Sequence, residues 1–416
     1  MSFHHLGLRA ELIRGVSDQG YTIPTPIQSE AIPAILAGED ILAGALTGTG
    51  KTAAFALPLL QKLNETPGRK PEPRALIITP TRELASQVHD SVRTYGKYLD
   101  LRSVVVFGGV NIAPQIEKLR RGIDIVVATP GRLLDHAQQR TVDLSHVGIL
   151  VLDEADRMLD MGFIKDIRKI LSLLPSRRQN LMFSATYSGD VHHLANSLLN
   201  HPRRIQVTPE NAAPELVAQK IHPVARSRKR ALLSHLVKSE NWQQALIFTR
   251  TKHGADKLVK HLLRDGISAT AIHGNKSQST RTRALADFKR GAVKLLVATD
   301  IAARGLDINQ LPHVVNYDIP HVPEDYVHRI GRTGRAGSNG IAISLVCSDE
   351  GKLLTEIEQL LRYQIAIEVI DGFTEQAKPM LQTTSIPSSP ERRSLGQMSR
   401  GRVRRYRDQR RRPAFA

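Results

Sequence analysis

The stretch Ile41-Leu-Ala-Gly-Ala-Leu-Thr-Gly-Thr-Gly-Lys-Thr52 has the residue types needed to hold a chain of phosphates. Ile41 and Leu42 read as a strand end, Ala45 to Thr52 as a loop, and Ala53-Ala-Phe-Ala-Leu57 as the start of a helix. Gly48 and Gly50 let the backbone curl, so that consecutive N–H groups along Ala45, Leu46, Thr47, Gly48, Thr49 and Gly50 face an anion. The dipole at the helix N-terminus favours negative charge at the same place. Lys51 is expected to reach the β- and γ-phosphates, and the Thr52 hydroxyl to ligate Mg²⁺. The spacing is that of a P-loop, with Ala45 where the strict pattern has its first Gly.

A second set of groups suits the same chemistry. Asp153-Glu-Ala-Asp156 follows the apolar run Ile149 to Leu152. A strand-end Asp153 can hold Mg²⁺ opposite the loop, and the adjacent Glu154 is then placed to orient and polarise an attacking water. Taken alone, the same four residues would also make a polar turn into a helix.

Two domains are expected to position these groups, because 416 residues exceed one ordinary domain and 41% hydrophobic content suffices for packed cores. Short continuous apolar runs alternate with helical-period stretches, the pattern of parallel strands buried on both faces. In the first half the runs are 75–79, 104–107, 125–129, 149–152 and 181–184; in the second, 245–248, 269–272, 295–299, 314–317 and 341–346. The distinctive polar motifs follow these runs, where α/β sheets place their chemistry. Residues 208–217, with Pro209 and Pro214, read as a linker between domains 1–207 and 218–372. The second half has no P-loop of its own.

The formal charge of +18 calls for a polyanionic partner. It is concentrated at the end, where residues 391–416 hold ten Arg against Glu391 and Asp408. Residues 373–416 read as a disordered, Arg-rich tail. The single Cys347 excludes an internal disulfide and a Cys-based zinc site, and suits a reducing compartment. The adjacent pairs His4-His5 and His192-His193 lack metal-ligand spacing. With neither a signal peptide nor a run of ~20 apolar residues, a cytoplasmic protein without a membrane partner is expected.

The motifs together resemble those of the DEAD-box ATP-dependent RNA helicases. Asp153-Glu-Ala-Asp156 spells the family signature, and Ala45 is itself the usual family residue. Gly20-Tyr-Thr-Ile-Pro-Thr-Pro-Ile-Gln28 resembles the Q motif, with Phe3 at the upstream aromatic position. Pro80-Thr-Arg-Glu-Leu84, Gly108-Gly109 and Thr129-Pro-Gly-Arg132 resemble RNA-contacting motifs, and Ser184-Ala-Thr186 the motif that couples hydrolysis to unwinding. In the second half, Leu246-Ile-Phe248, Gln278-Ser-Thr-Arg281, Ala298 to Asp307 and His328-Arg-Ile-Gly-Arg-Thr-Gly-Arg335 match. The resemblance runs from about Phe3 to Phe373 and is most like the bacterial RhlE-type group, notably in Asn316-Tyr-Asp-Ile-Pro and Arg283-Ala-Leu-Ala-Asp-Phe-Lys289.

The resemblance implies an α/β fold of two RecA-like domains, each a mostly parallel sheet flanked by helices, with ATP, Mg²⁺ and RNA bound across the cleft. Gln28 would pair with the adenine edge, having both a donor and an acceptor. Tyr21 or Phe3 could stack on the base, and either could equally be a core aromatic. Arg332 and Arg335, between Gly331 and Gly337, would act as fingers on the γ-phosphate from the second domain, with Asp307 and His328 in the same closed interface. Asp156, Ser184 and Thr186 would couple the domains. RNA would meet Thr81, Arg82, Gly109, Thr129, Arg132, Arg281 and Thr299, although Thr129 and Arg132 could instead cap a helix. With aromatics at 4%, backbone and 2′-OH recognition is expected rather than base readout. Ribosomal precursors and RNA-decay machinery are both compatible partners.

The tail supplies a test. Deleting residues 391–416 is expected to weaken RNA binding and flatten its salt dependence, leaving the ATPase rate at saturating RNA intact. Salt titration of RNA affinity measures it, and an unchanged slope would contradict a tethering role.

Overall fold

The computed structural model describes residues 2–44, 49–66, 72–186, 189–206, 217–303, 306, 308, 311–334 and 340–373. The expected tail and residues 208–216 of the expected linker lie outside these. So do Ala45, Leu46, Thr47, Gly48, Asp307 and Arg335 among the expected site residues.

The first half forms one seven-stranded sheet from β1 (Ile41–Gly44), β2 (Ala75–Ile78), β3 (Ser103–Val106), β4 (Ile125–Ala128), β5 (Ile149–Leu152), β6 (Gln179–Ser184) and β7 (Arg203–Gln206). The second half forms another from β8 (Val217–Pro223), β9 (Ala245–Phe248), β10 (Ala269–Ile272), β11 (Leu295–Ala298), β12 (His313–Asn316), β13 (Gly340–Val346) and β14 (Ala366–Ile367). The orders are β3-β4-β2-β5-β6-β1-β7 and β10-β11-β9-β12-β13-β8-β14, the same arrangement used twice. Every paired strand is parallel, as in β5 against β6 with Leu150 beside Asn180.

Each apolar strand feeds two cores, because alternate side chains leave opposite faces. In the first sheet Ile41, Ile77, Val127 and Val151 pack into one core, with the helices Pro26–Leu36, Lys51–Glu65 and Arg82–Tyr95. Leu42, Ile78, Val126 and Leu152 pack into the other, with Met158, Ile167 and Leu194 from the helices of the opposite face. Both faces being buried explains why these strands read as unbroken apolar runs.

Every run expected from the sequence is a strand, with ends shifted by at most two residues. Three strands carry no such signal. β7 buries only Ile205, β14 is two exposed residues, and β8 is interrupted by Gln219, Lys220 and His222. Val217, expected in the linker, opens β8, and the helix after the phosphate loop starts at Lys51, two residues earlier than expected. Among the described residues no helix is long and apolar enough to cross a membrane.

The second sheet is braced by a buried ion pair. Lys229, the first residue of the helix after β8, donates from Nζ to the Tyr317 carbonyl at 2.8 Å and to Glu350 at 2.5 Å. Glu350 also accepts from the backbone N–H groups of Cys347 and Ile319 at 3.2 and 3.3 Å. Burial opposes ionisation of Glu350, and the Lys229 ammonium outweighs it, so the carboxyl titrates below its ordinary value. Its contribution is therefore present above the ordinary carboxyl pKa and is lost as pH falls through the depressed one. Glu350→Ala would leave Lys229 buried and unpaired, and is expected to cost about 3–5 kcal/mol at neutral pH. Urea denaturation at pH 7 and in acid measures this, the gap between variant and parent closing in acid.

Candidate active site

The strand order sorts the motifs into two groups. β5, β6 and β1 are neighbours, so their C-terminal ends bring Asp153, Ser184 and the start of the phosphate loop together. β3, β4 and β2 are neighbours on the other side, so Gly109, Thr129 and Thr81 lie together at their ends.

A cavity of about 590 Å³ opens over the first group. It is lined by Tyr21, Gln28, Gly50, Lys51, Thr52, Asp153 and Glu154 from the first half, and by Lys289, Leu306 and Arg332 from the second. Lys51 is 6% exposed, and among the described residues its Nζ has no hydrogen-bond partner; Asp153 Oδ1 and Glu154 Oε2 also lack one there. Such groups are costly in a protein interior unless a ligand completes them. Burial pushes the Asp153 carboxyl up to about 7; Lys51 opposes this and Glu154 adds to it.

Local backbone geometry places these groups. Gly50 has φ 89°, and a Cβ there would collide with the Gln28 carboxamide. Gln28 accepts from Thr25 N at 2.9 Å and donates to the Gly50 carbonyl at 3.1 Å, tying the Pro26 helix to the end of the loop. One amide hydrogen of Gln28 is thus committed to the chain. Glu154 holds φ 56°, a left-handed conformation costing on the order of 1–2 kcal/mol for a residue with a side chain. Its carboxylate lies 3.3 Å from the guanidinium of Arg157, which is 1% exposed.

Asp156 turns away from the cavity and accepts from Ala185 N, Thr186 N and Thr186 Oγ1 at 3.0–3.2 Å. Ser184 Oγ donates to the Thr186 carbonyl at 2.7 Å. From the second half Arg332 donates to the Leu306 carbonyl at 2.8 Å. A smaller cavity joins Arg157 to His328, Asp300, Asp325, Arg329 and Arg332 across the two halves. Tyr21 is half exposed at the main cavity, whereas Phe3 is buried in the core, so of the two aromatics only Tyr21 faces a ligand.

In the second group Arg82 lies against Gly109, whose φ of 76° and lack of a Cβ admit the guanidinium. Arg132 donates twice to the Val110 carbonyl, at 3.1 and 3.2 Å, and so holds the glycine loop. Thr81 caps its helix by accepting from Leu84 N at 3.2 Å. Thr129 occupies the N-cap position of the helix Pro130–Gln138 without a side-chain cap bond. Thr299 stands just past β11 and its carbonyl accepts from Ala302 and Ala303 N. No described side-chain contact joins it to the rest.

Residues 25–194 match the DEAD/DEAH box helicase family model, and residues 228–337 match the helicase conserved C-terminal domain. Over 374 residues the chain is 44% identical to the ATP-dependent RNA helicase RhlB of Pseudomonas putida, covering 88% of this chain and 94% of that protein. The chain belongs to the DEAD-box ATP-dependent RNA helicases. This helicase is also 40% identical to the DEAD-box ATP-dependent RNA helicase RhpA of Helicobacter pylori, covering 90% of this chain and 75% of that protein. Its fold superposes on S. cerevisiae Dbp5 bound to RNA and ADP BeF3 with a TM-score of 0.79 at 30% identity, covering 89% and 96% of the two chains.

The residues that sequence reasoning missed are those that join the halves of the helicase and one that braces the second half. Glu83 accepts from Arg281 at 2.9 Å and from Gln278 Nε2 at 2.9 Å, and Gln278 Oε1 accepts from Arg82 at 3.3 Å. Arg329, 2% exposed, grips Asp300 through two contacts of 2.5 and 2.7 Å and donates to Asn316 at 3.0 Å, fixing the helix that leads to Arg332. Glu83, Gln278 and Arg329 lie within motifs visible in the sequence, but nothing there says that Glu83 faces Gln278 or that Arg329 faces Asp300. Glu83→Ala is expected to raise the RNA concentration for half-maximal ATPase stimulation several-fold, because it frees the second-half Arg281 and Gln278. Steady-state ATPase against RNA concentration measures it.

Proposed function

We propose that this helicase hydrolyses ATP between its two halves when RNA draws them together, separating short duplexes or remodelling RNA–protein complexes with little sequence preference. The observation carrying this is the single cavity that combines Lys51, Asp153 and Glu154 of one half with Arg332 of the other. Tyr21 and Gln28 hold the base, the loop N–H groups with Lys51 hold the β- and γ-phosphates, and Glu154 orients and polarises the water that attacks the γ-phosphorus. Arg332 stabilises charge on the transferring phosphoryl group and is present only when the cleft is closed. Arg335 and Asp307 keep the roles that the family pattern gives them, as a second finger and a nucleotide contact.

Thr52 and Asp153 suit a hard divalent cation: both line the cavity, and Asp153 Oδ1 is buried without a partner. Mg²⁺ there would neutralise phosphate charge.

RNA runs over Arg82, Gly109 and the Arg132-held loop of the first half and Arg281 of the second, with Thr81, Thr129 and Thr299 contributing backbone or hydroxyl contacts. Asp156, Ser184 and Thr186, with His328, link that face to the cavity. We take residues 1–207 and 218–372 as the two working domains, joined by 208–217, with 373–416 as a basic tail. Asn316-Tyr-Asp-Ile-Pro and Arg283 to Lys289 support the RhlE-type group, and the lone, buried Cys347 a cytoplasmic setting. Ribosomal precursors and RNA-decay complexes are the substrates in view.

Steady-state ATPase with single-stranded RNA, with matched DNA and without nucleic acid tests the reading. RNA is expected to stimulate strongly and DNA not to. Glu154→Gln should abolish turnover while retaining nucleotide binding, with a loss of about 10²-fold or more. Equal stimulation by DNA would point to a cleft that does not read ribose.

A further inference from the structure

β3 is the edge strand of the first sheet, and its two ends differ in what they present. Its C-terminal end leads to Gly108 and Gly109 in the expected RNA face. At its N-terminal end lies a depression of about 370 Å³ lined by Arg93, Arg102, Lys118 and Arg121, together with Leu101, Ser103 and the Gly122–Ile123 backbone. No carboxylate lines it.

The cations there are under-used. Arg93 and Lys118 make no hydrogen bond or ion pair among the described residues. Arg102 donates to the Arg121 carbonyl at 3.1 Å, and Arg121 alone is paired, with Glu117. All four side chains are exposed. Beside them His89 has a buried Nε2 with no hydrogen-bond partner among the described residues. Burial chiefly lowers its pKa; a backbone bond to Ser103 and the Asp90 charge oppose this, while Arg93 and Lys118 lower it further. The imidazole thus sits in the positive field of the same two cations.

The helix Arg82–Tyr95 connects the two places. Arg82 at its start lies in the expected RNA face, and Arg93 is eleven residues further on, ~16 Å along the axis at 1.5 Å per residue. That is the span of only a few nucleotides. An uncompensated positive patch at this distance from a nucleic-acid groove matches phosphate spacing and charge, and needs no base recognition.

We propose that Arg93, Arg102, Lys118 and Arg121 form a second phosphate-contact site on the first domain, which holds RNA flanking the strand gripped in the cleft. The site rests on the reading of the chain as an RNA-dependent ATPase, and it shares no residue with the cavity that holds Lys51, Asp153 and Glu154. It favours substrates in which the single strand is continuous with a duplex, retaining the enzyme where strand separation is needed. An acidic polypeptide is the competing occupant; proximity to the RNA face favours RNA.

The test uses the full chain and the triple variant Arg93→Gln/Arg102→Gln/Lys118→Gln. Affinity is measured against salt for a ten-nucleotide single strand and for the same strand extended by a hairpin on its 5′ or its 3′ side. The variant is expected to bind the short strand within twofold of the parent, and its ATPase rate at saturating short RNA should be unchanged. At least one hairpin RNA should bind roughly tenfold more weakly, with a slope of log K against log salt shallower by about 2–3. Unchanged affinity and slope for both hairpins overturn the proposal and leave the patch to an acidic polypeptide. An equal loss on the short strand also overturns it, by placing the patch in the cleft. If the parent shows no RNA-stimulated ATPase, the underlying reading fails instead.

Discussion

Three buried ionisable groups without full partners set the terms for this molecule. The Lys51 ammonium and the carboxylates of Asp153 and Glu154 are almost wholly removed from water; among the described residues Lys51 Nζ and Asp153 Oδ1 have no hydrogen-bond partner, and Glu154 Oε2 has only the Arg157 guanidinium at 3.3 Å. Leaving such groups incomplete destabilises a fold by kilocalories. The surrounding architecture offsets this with two fully covered sheet faces and continuous apolar cores. The groups meet because β1, β6 and β5 are adjacent, an order that sets the first strand of the chain beside the sixth. A nucleotide's phosphates are a counter-charge for the Lys51 ammonium alone, and the two carboxylates call for a cation instead.

The second half completes the site without owning one. Arg332 enters the cavity from a helix fixed by the Arg329–Asp300 pair, while Glu83 receives Arg281 and Gln278 at the other face. Both places therefore draw on the two halves, each combining first-half with second-half side chains. Asp156 lies between these faces and spends its carboxylate on the backbone of Ala185 and Thr186. This makes the signature's last residue a structural tie, while its first two line the cavity.

Much of this was legible in the sequence. Parallel strands covered on both faces must be apolar at successive positions, so runs such as Ile125–Ala128 announced themselves. β7 and β14, at sheet edges, face no such demand, and β8 tolerates Lys220 because it neighbours the two-residue edge strand β14. The phosphate loop and Asp153-Glu154 were readable because their chemistry needs fixed residue types at fixed spacing. Glu83 and Arg157 were not: a buried carboxylate or guanidinium acquires its meaning from a partner that topology alone brings near. Phe3 shows the converse, an aromatic at a suggestive position that the core absorbs.

The repeated strand order carries a last implication. Lys51 and Lys229 occupy equivalent places, each the first residue of the helix that follows the first strand of its sheet. In one half no described residue hydrogen-bonds the ammonium; in the other, Glu350 and the Tyr317 carbonyl occupy it from within. The second sheet thus has the plan of a nucleotide-binding domain whose phosphate site is closed by an internal counter-ion.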